Sequence, residues 1–126
     1  MTTPLWQLNA TDLATCIASG EMSAREATES VLGRIAEVNP RVNALASVTP
    51  ESALRAADAA DAAQARGETL GPLHGVPITI KINVDVQGEP TTDGAAALKD
   101  NLASSDSPLV QSLREAGAII VGRNNA

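Results

Sequence analysis

The sequence predicts an α/β protein in which helices come first and a strand–helix–strand unit comes after them. Three observations carry this. Residues 9–67 place apolar side chains at helical spacing between start and stop signals. Residues 76–122 contain two short runs of β-branched residues separated by one helical segment. Aromatics are nearly absent, with one Trp and no Phe or Tyr, so the core must be aliphatic, which suits helices packed closely on a parallel sheet. At 126 residues the chain holds one modest domain, helical over residues 9–67 and βαβ over 76–122.

The elements come in order. "NATDLATCIASG" offers Asn9 or Thr11 as cap, apolar Leu13, Ala14 and Ile17, and a stop at Gly20. "SARE" is a capping box: the Ser23 hydroxyl accepts from the third helical amide, and Glu26 reaches back. Its helix carries Ala27, Val31, Leu32, Ile35 and Val38. It is expected to end at Asn39-Pro40, because the residue before proline is pushed out of the α region. Residues 44–48 read as a short strand or extended link, and Thr49-Pro50 as the cap and first residue of a helix over residues 51–66. Alanine dominates this helix because it is the best helix former. Asp58 and Asp61, three apart, are expected on a solvated face and not in a metal or acid–base site.

The second half differs. Residues 70–77 form a loop, 78–83 a strand and 84–101 an irregular stretch with Gly88, Pro90 and Gly94. Ser107 and Pro108 open a helix whose Leu109, Val110, Leu113 and Ala116 are expected to face a core, with Gly117 ending it. "AIIVG", residues 118–122, is apolar throughout, as in a parallel strand covered on both faces. Strand, crossover helix and strand make a βαβ unit.

Composition excludes several functions. A net charge of −6 argues against binding nucleic acid. Bases would also find almost no aromatic platform. The start, "MTTPLWQLNA", lacks the basic and apolar regions of a signal peptide, and no window resembles a membrane span, so a cytoplasmic protein without a membrane partner is expected. The lone Cys16 reads as a small buried residue on a helix. No metal or cofactor site is expected.

The residue that could carry chemistry is Lys81, in "GPLHGVPITIKIN". Strand alternation points Ile78, Ile80 and Ile82 one way and Thr79, Lys81 and Asn83 the other. The lysine therefore shares a polar face, near the carboxyl end of a strand, where open α/β sheets bind ligands. On a solvated face it is an ordinary edge charge. On a covered face desolvation favours the neutral amine, a competent general base. The next loop, with Thr91 and Thr92, could line a pocket, but a connecting loop with two left-handed glycines is the simpler reading. His74, the single histidine, is expected to be structural and hydrogen-bonded within its loop.

"GPLHGVPITIKINVDVQGEPTTDGAAAL", residues 71–98, resembles the segment around the catalytic lysine of amidase signature hydrolases. "DSPLVQSLREAGAIIVGRNN" is similar to the helix and strand that come next in that family, and the N-terminal helices fit its usual opening. Many members carry Asp where this chain has Ile82, and Thr where it has Asn124. The resemblance implies an α/β/α sandwich with a mixed sheet, and a Ser–cis-Ser–Lys triad that hydrolyses a small-molecule amide. On this sequence only the lysine carries over, as Lys81. The Gly/Ser-rich segment that supplies both serines lies beyond the equivalent of Ala126, and Ser104, Ser105 and Ser107 do not replace it, since "ASSDSP" reads as a helix cap. Residues 1–126 are thus expected to be the N-terminal part of one amidase domain. Alone they are expected to be inactive, and loosely packed or associated through an open sheet edge. Homo-oligomers of the whole protein fit the same reading. Two rivals stand beside it: the A subunit of a glutamine-dependent aminoacyl-tRNA amidotransferase, and a non-catalytic interaction module.

Overall fold

The computed structural model describes residues 3–126; Met1 and Thr2, at the start of the segment read against a leader, lie outside them. After a 3-10 turn at Leu5–Gln7 the elements run α1 (Ala10–Ala18), α2 (Ala24–Val42), β1 (Leu45–Val48), α3 (Pro50–Ala65), β2 (Pro77–Lys81), α4 (Pro108–Glu115) and β3 (Ile119–Asn124), with a further 3-10 turn at Ala96–Leu98. The order is the expected one, helices and then a βαβ unit. The sheet is mixed: β3 is central, parallel to β2 and antiparallel to β1.

Local chemistry explains most boundaries. Asn9 is the cap of α1, its side chain accepting from the Asp12 amide at 2.8 Å. The capping box forms at α2: Ser23 Oγ accepts from the Glu26 amide at 2.9 Å, and the Ser23 amide donates to Glu26 at 3.3 Å. Ser107 Oγ accepts from the Val110 amide at the start of α4. Thr49 precedes Pro50 as expected, but its hydroxyl makes no capping bond.

Three expectations need correction. α2 does not stop at Asn39-Pro40 but runs on to Val42 and closes on Asn43, which is left-handed at φ 48°. Pro40 has no amide to offer the carbonyl four residues back, so α2 gives up one helix bond there, with only Arg41 and Val42 beyond it in the helix. The Asn39 side chain meanwhile grips the start of β1, accepting from the Leu45 amide at 2.9 Å and donating to the Leu45 carbonyl at 3.2 Å. Asp58 and Asp61 are not merely solvated. Asp61 accepts from the Ala24 and Arg25 amides at 2.7 and 3.1 Å, capping α2 from α3, and Asp58 pairs with Arg25 at 2.7 Å. A carboxylate there also meets the positive end of the helix dipole. Finally, Leu109 is exposed; Val110 is the fully buried residue of α4.

Among the described residues the core has three parts. Ala24, Ala53 and Ala57 pack on Ile119 and Val121, and small alanines let α2 and α3 approach the sheet. Leu13, Ile17, Ala27 and Val76 form a second cluster. Ile80, Val86, Val110 and Ile120 form the third, beneath α4.

The Gly-Pro loop before β2 is stitched to the junction of α4 and β3. The Leu73 amide donates to the Ala116 carbonyl at 2.8 Å, the Gly75 amide to Gly117 at 2.9 Å, and the Ile119 amide to Val76 at 2.8 Å. Gly117 is required on two counts: φ is +97°, and a Cβ there would lie 2.7 Å from His74 Cα.

Candidate active site

β2 ends at Lys81, two residues earlier than periodicity predicts. The Ile82 amide still donates to the Asn124 carbonyl at 2.9 Å, but the Val84 amide then turns back to the Lys81 carbonyl at 3.0 Å. The alternation itself holds. Ile80 and Ile82 are buried, while Thr79, Lys81 and Asn83 are exposed. Lys81 is paired with Asn124 of β3. Its side chain forms no ion pair among the described residues.

The backbone around Lys81 is held by a residue that sequence reasoning missed. Arg123 comes after the apolar run of β3 and is fully buried. Nε donates to the Ile80 carbonyl at 3.3 Å and Nη1 to Pro90 at 3.2 Å. Nη2 donates to the Lys81 carbonyl at 3.3 Å and, at short range, to Val84. The Glu89 carboxylate stands 3.8 Å from Nη1. A buried charge is tolerated only with such partners. The register explains its position: an irregularity between Ile78 and Thr79 pairs Arg123 with Ile80, on the buried side, and leaves Lys81 opposite Asn124. The one sequence signal was an arginine directly after a strand predicted to be covered on both faces.

The loop after β2 is folded, not open. The Thr91 hydroxyl donates to Asp85 at 2.5 Å, and Thr92 Oγ1 accepts from the Gly94 amide at 3.2 Å. Both threonines thus hold their own loop. Asp106 ties it to α4, accepting from the Gln87 amide at 2.8 Å and pairing with Arg114 at 2.8 Å. Ser104 and Ser105 are exposed, and Ser107 caps α4.

His74 is buried, but not hydrogen-bonded as expected. Its amide donates to Gly71 at 3.1 Å, whereas Nε2 has no partner among the described residues. Cys16 lies half-buried on α1, and desolvation, then the nearby Glu21 and Asp12 carboxylates, push its thiol above the ordinary value. The thiolate is therefore scarce. Among the described residues no group of three or more His, Cys, Asp or Glu could hold a metal, and no helix is long and apolar enough to cross a membrane. A cleft of about 470 Å³, lined by Leu32, Ile35, Asn39, Pro40 and Pro50 among others, lies on α2 and does not include Lys81.

Comparison with known proteins agrees with this architecture. The amidase family model matches residues 26–126. An indoleacetamide hydrolase of Bradyrhizobium diazoefficiens is 51% identical over 122 residues, which is 97% of this chain and 23% of that protein. The A subunit of the glutamyl-tRNA(Gln) amidotransferase of Salinispora arenicola is 45% identical, over 98% of this chain and 25% of its own. A bacterial aryl acylamidase of the amidase signature family superposes with a TM-score of 0.92 at 27% identity, covering 98% of this chain and 26% of that one. The chain belongs to the amidase signature family. It spans about a quarter of the length of these relatives.

Proposed function

We propose that Lys81 is the general base of a Ser–cis-Ser–Lys triad that hydrolyses a carboxylic acid amide to the acid and ammonia. In this reading residues 1–126 belong to one amidase domain and contribute only the lysine. The observation that carries it is the position of Lys81, at the carboxyl end of β2 and exposed on a face with Thr79 and Asn83. Packing further chain against that face would strip water from the ammonium and favour the neutral amine. The neutral amine takes a proton from the cis-serine, which takes one from the nucleophilic serine. The freed alkoxide adds to the amide carbonyl, backbone amides bind the oxyanion, and the C–N bond breaks as nitrogen is protonated and ammonia leaves. The proton that nitrogen gains is the one the lysine took up; water then cleaves the acyl-enzyme, its hydroxyl going to the acid and its proton to the nucleophilic serine.

The indoleacetamide hydrolase relative makes an arylacetamide, indole-3-acetamide first, the substrate to try. The purified 126-residue chain is expected to release no ammonia from it; measurable turnover would refute the division of the triad. Reading the coding sequence beyond Ala126 is the most direct check. A Gly-Ser-Ser-Gly type segment in frame supports the enzyme, and a stop codon favours the non-catalytic module.

A second reading is supported by the amidotransferase relative at 45% identity. There the same triad would release ammonia from glutamine within an assembly that also holds tRNA. Recovery of tRNA and a stable second chain with the native protein would select it; glutamine-independent hydrolysis of indole-3-acetamide by a lone chain would exclude it.

A further inference from the structure

We propose that Arg123 is a positioning residue for Lys81. This deepens the general-base reading and rests on it for its catalytic consequence. The direction of a side chain is set by its Cα–Cβ bond, which is fixed by the two peptide planes that meet at that Cα. For Lys81 these planes carry the carbonyls of Ile80 and of Lys81 itself. Both accept from the one guanidinium, at 3.3 Å from Nε and 3.3 Å from Nη2. The Lys81 carbonyl also accepts from the Val84 amide at 3.0 Å, so its plane is held from two sides. Two of the three remaining guanidinium hydrogens go to the Val84 and Pro90 carbonyls, tying the returning loop to the same group.

The arrangement suits aiming better than it suits stability alone. Arginine carries five donors in a rigid planar fork. Here the fork serves the end of β2 and the loop beyond it, from a fully buried site. Among the described residues the only carboxylate within ion-pair distance, Glu89, stands off at 3.8 Å. Carbonyl oxygens, not a salt bridge, are thus the main partners. A lysine at position 123 would keep the charge but could not hold both peptide planes at once.

The test uses the longest protein that carries residues 1–126. The chain has only two lysines, Lys81 and the exposed Lys99, so acetylation by an amine-reactive ester gives an internal ratio by peptide mass spectrometry. In Arg123→Met and Arg123→Lys the Lys81:Lys99 labelling ratio is expected to move by at least about threefold, while the cooperative melt is retained. On indole-3-acetamide, kcat should fall at least about tenfold with KM within about threefold, because geometry and not ground-state binding has changed. Glu89→Gln, which leaves the fork intact, should keep both readouts within about twofold. A labelling ratio within about twofold of the parent in the folded variants overturns the proposal. If Arg123→Met does not fold, Arg123→Lys decides by the same limits. If neither folds, the role is structural and the proposal is overturned. A shifted ratio with unchanged turnover upholds the positioning and rejects the general-base reading instead.

Discussion

On one face of the segment that leaves β2, Ile80 and Ile82 are each 4% exposed, packed beneath α4 or against their neighbours and backed by the buried Arg123. On the other, Thr79, Lys81 and Asn83 lie open. A few residues at the end of β2 and just beyond it thus meet a finished, packed interior on one side and open surface on the other. The finished side needs volume and hydrogen-bond partners from this chain. On the proposed reading the open side needs only the lysine amine at the right height. Substitutions on the two faces should accordingly differ in kind: one set costs stability, the other costs turnover.

The largest effect expected is on turnover. If the proposed role holds, Lys81→Ala in the longest protein that carries these residues should lower kcat by about 10²-fold or more, the usual scale for a general base. Its melting point should barely move, since exposed substitutions usually stay within about 0.5 kcal/mol. Activity within about tenfold of the parent, a barrier change of about 1.4 kcal/mol, would reject the role. Ile80→Ala, one residue away, should do the reverse and cost about 2–5 kcal/mol in a denaturant titration. A loss below about 1 kcal/mol would mean that the buried face tolerates a cavity and that the contrast is weaker than it looks.

Gly117→Ala probes the stitching behind the buried face. The new methyl would meet His74 Cα at 2.7 Å in a left-handed residue, so about 1–3 kcal/mol of destabilisation is expected. An unchanged midpoint would show that the loop yields. The smallest effect is Asp61→Ala, which removes the carboxylate that caps α2 from α3 and should cost about 1 kcal/mol. Hydrogen exchange at the Ala24 and Arg25 amides should quicken with it; unchanged exchange would argue that Ser23 and Glu26 cap the helix unaided.

What was legible in the sequence was local chemistry. A serine hydroxyl three residues before a glutamate, a proline after a serine, and isoleucines at every second position each act within a few residues. The structure reproduces them at Ser23, Ser107 and Ile80. What escaped was set by partners far along the chain. Asp61 is a cap only because α3 lies across the start of α2. Arg123 reaches the Ile80 carbonyl through a register irregularity that no periodicity rule describes. The face that Lys81 shares with Thr79 and Asn83 belonged to the first kind, its exposure was left open by alternation alone, and the machinery that holds its backbone belonged to the second.

The sheet order has a consequence for synthesis. β3 is the last of the three described strands in sequence and the middle one in space. β1 and β2 pair with it and not with each other. A ribosome must therefore release residues 119–124 before either edge strand finds a neighbour. Until then α1, α2 and α3 leave the exit tunnel able to coil but with no sheet to cover. Their faces, built from Ala with a few Val, Leu and Ile and with no aromatic side chain, carry less risk in water than aromatic faces, which would have invited the nascent chain to aggregate.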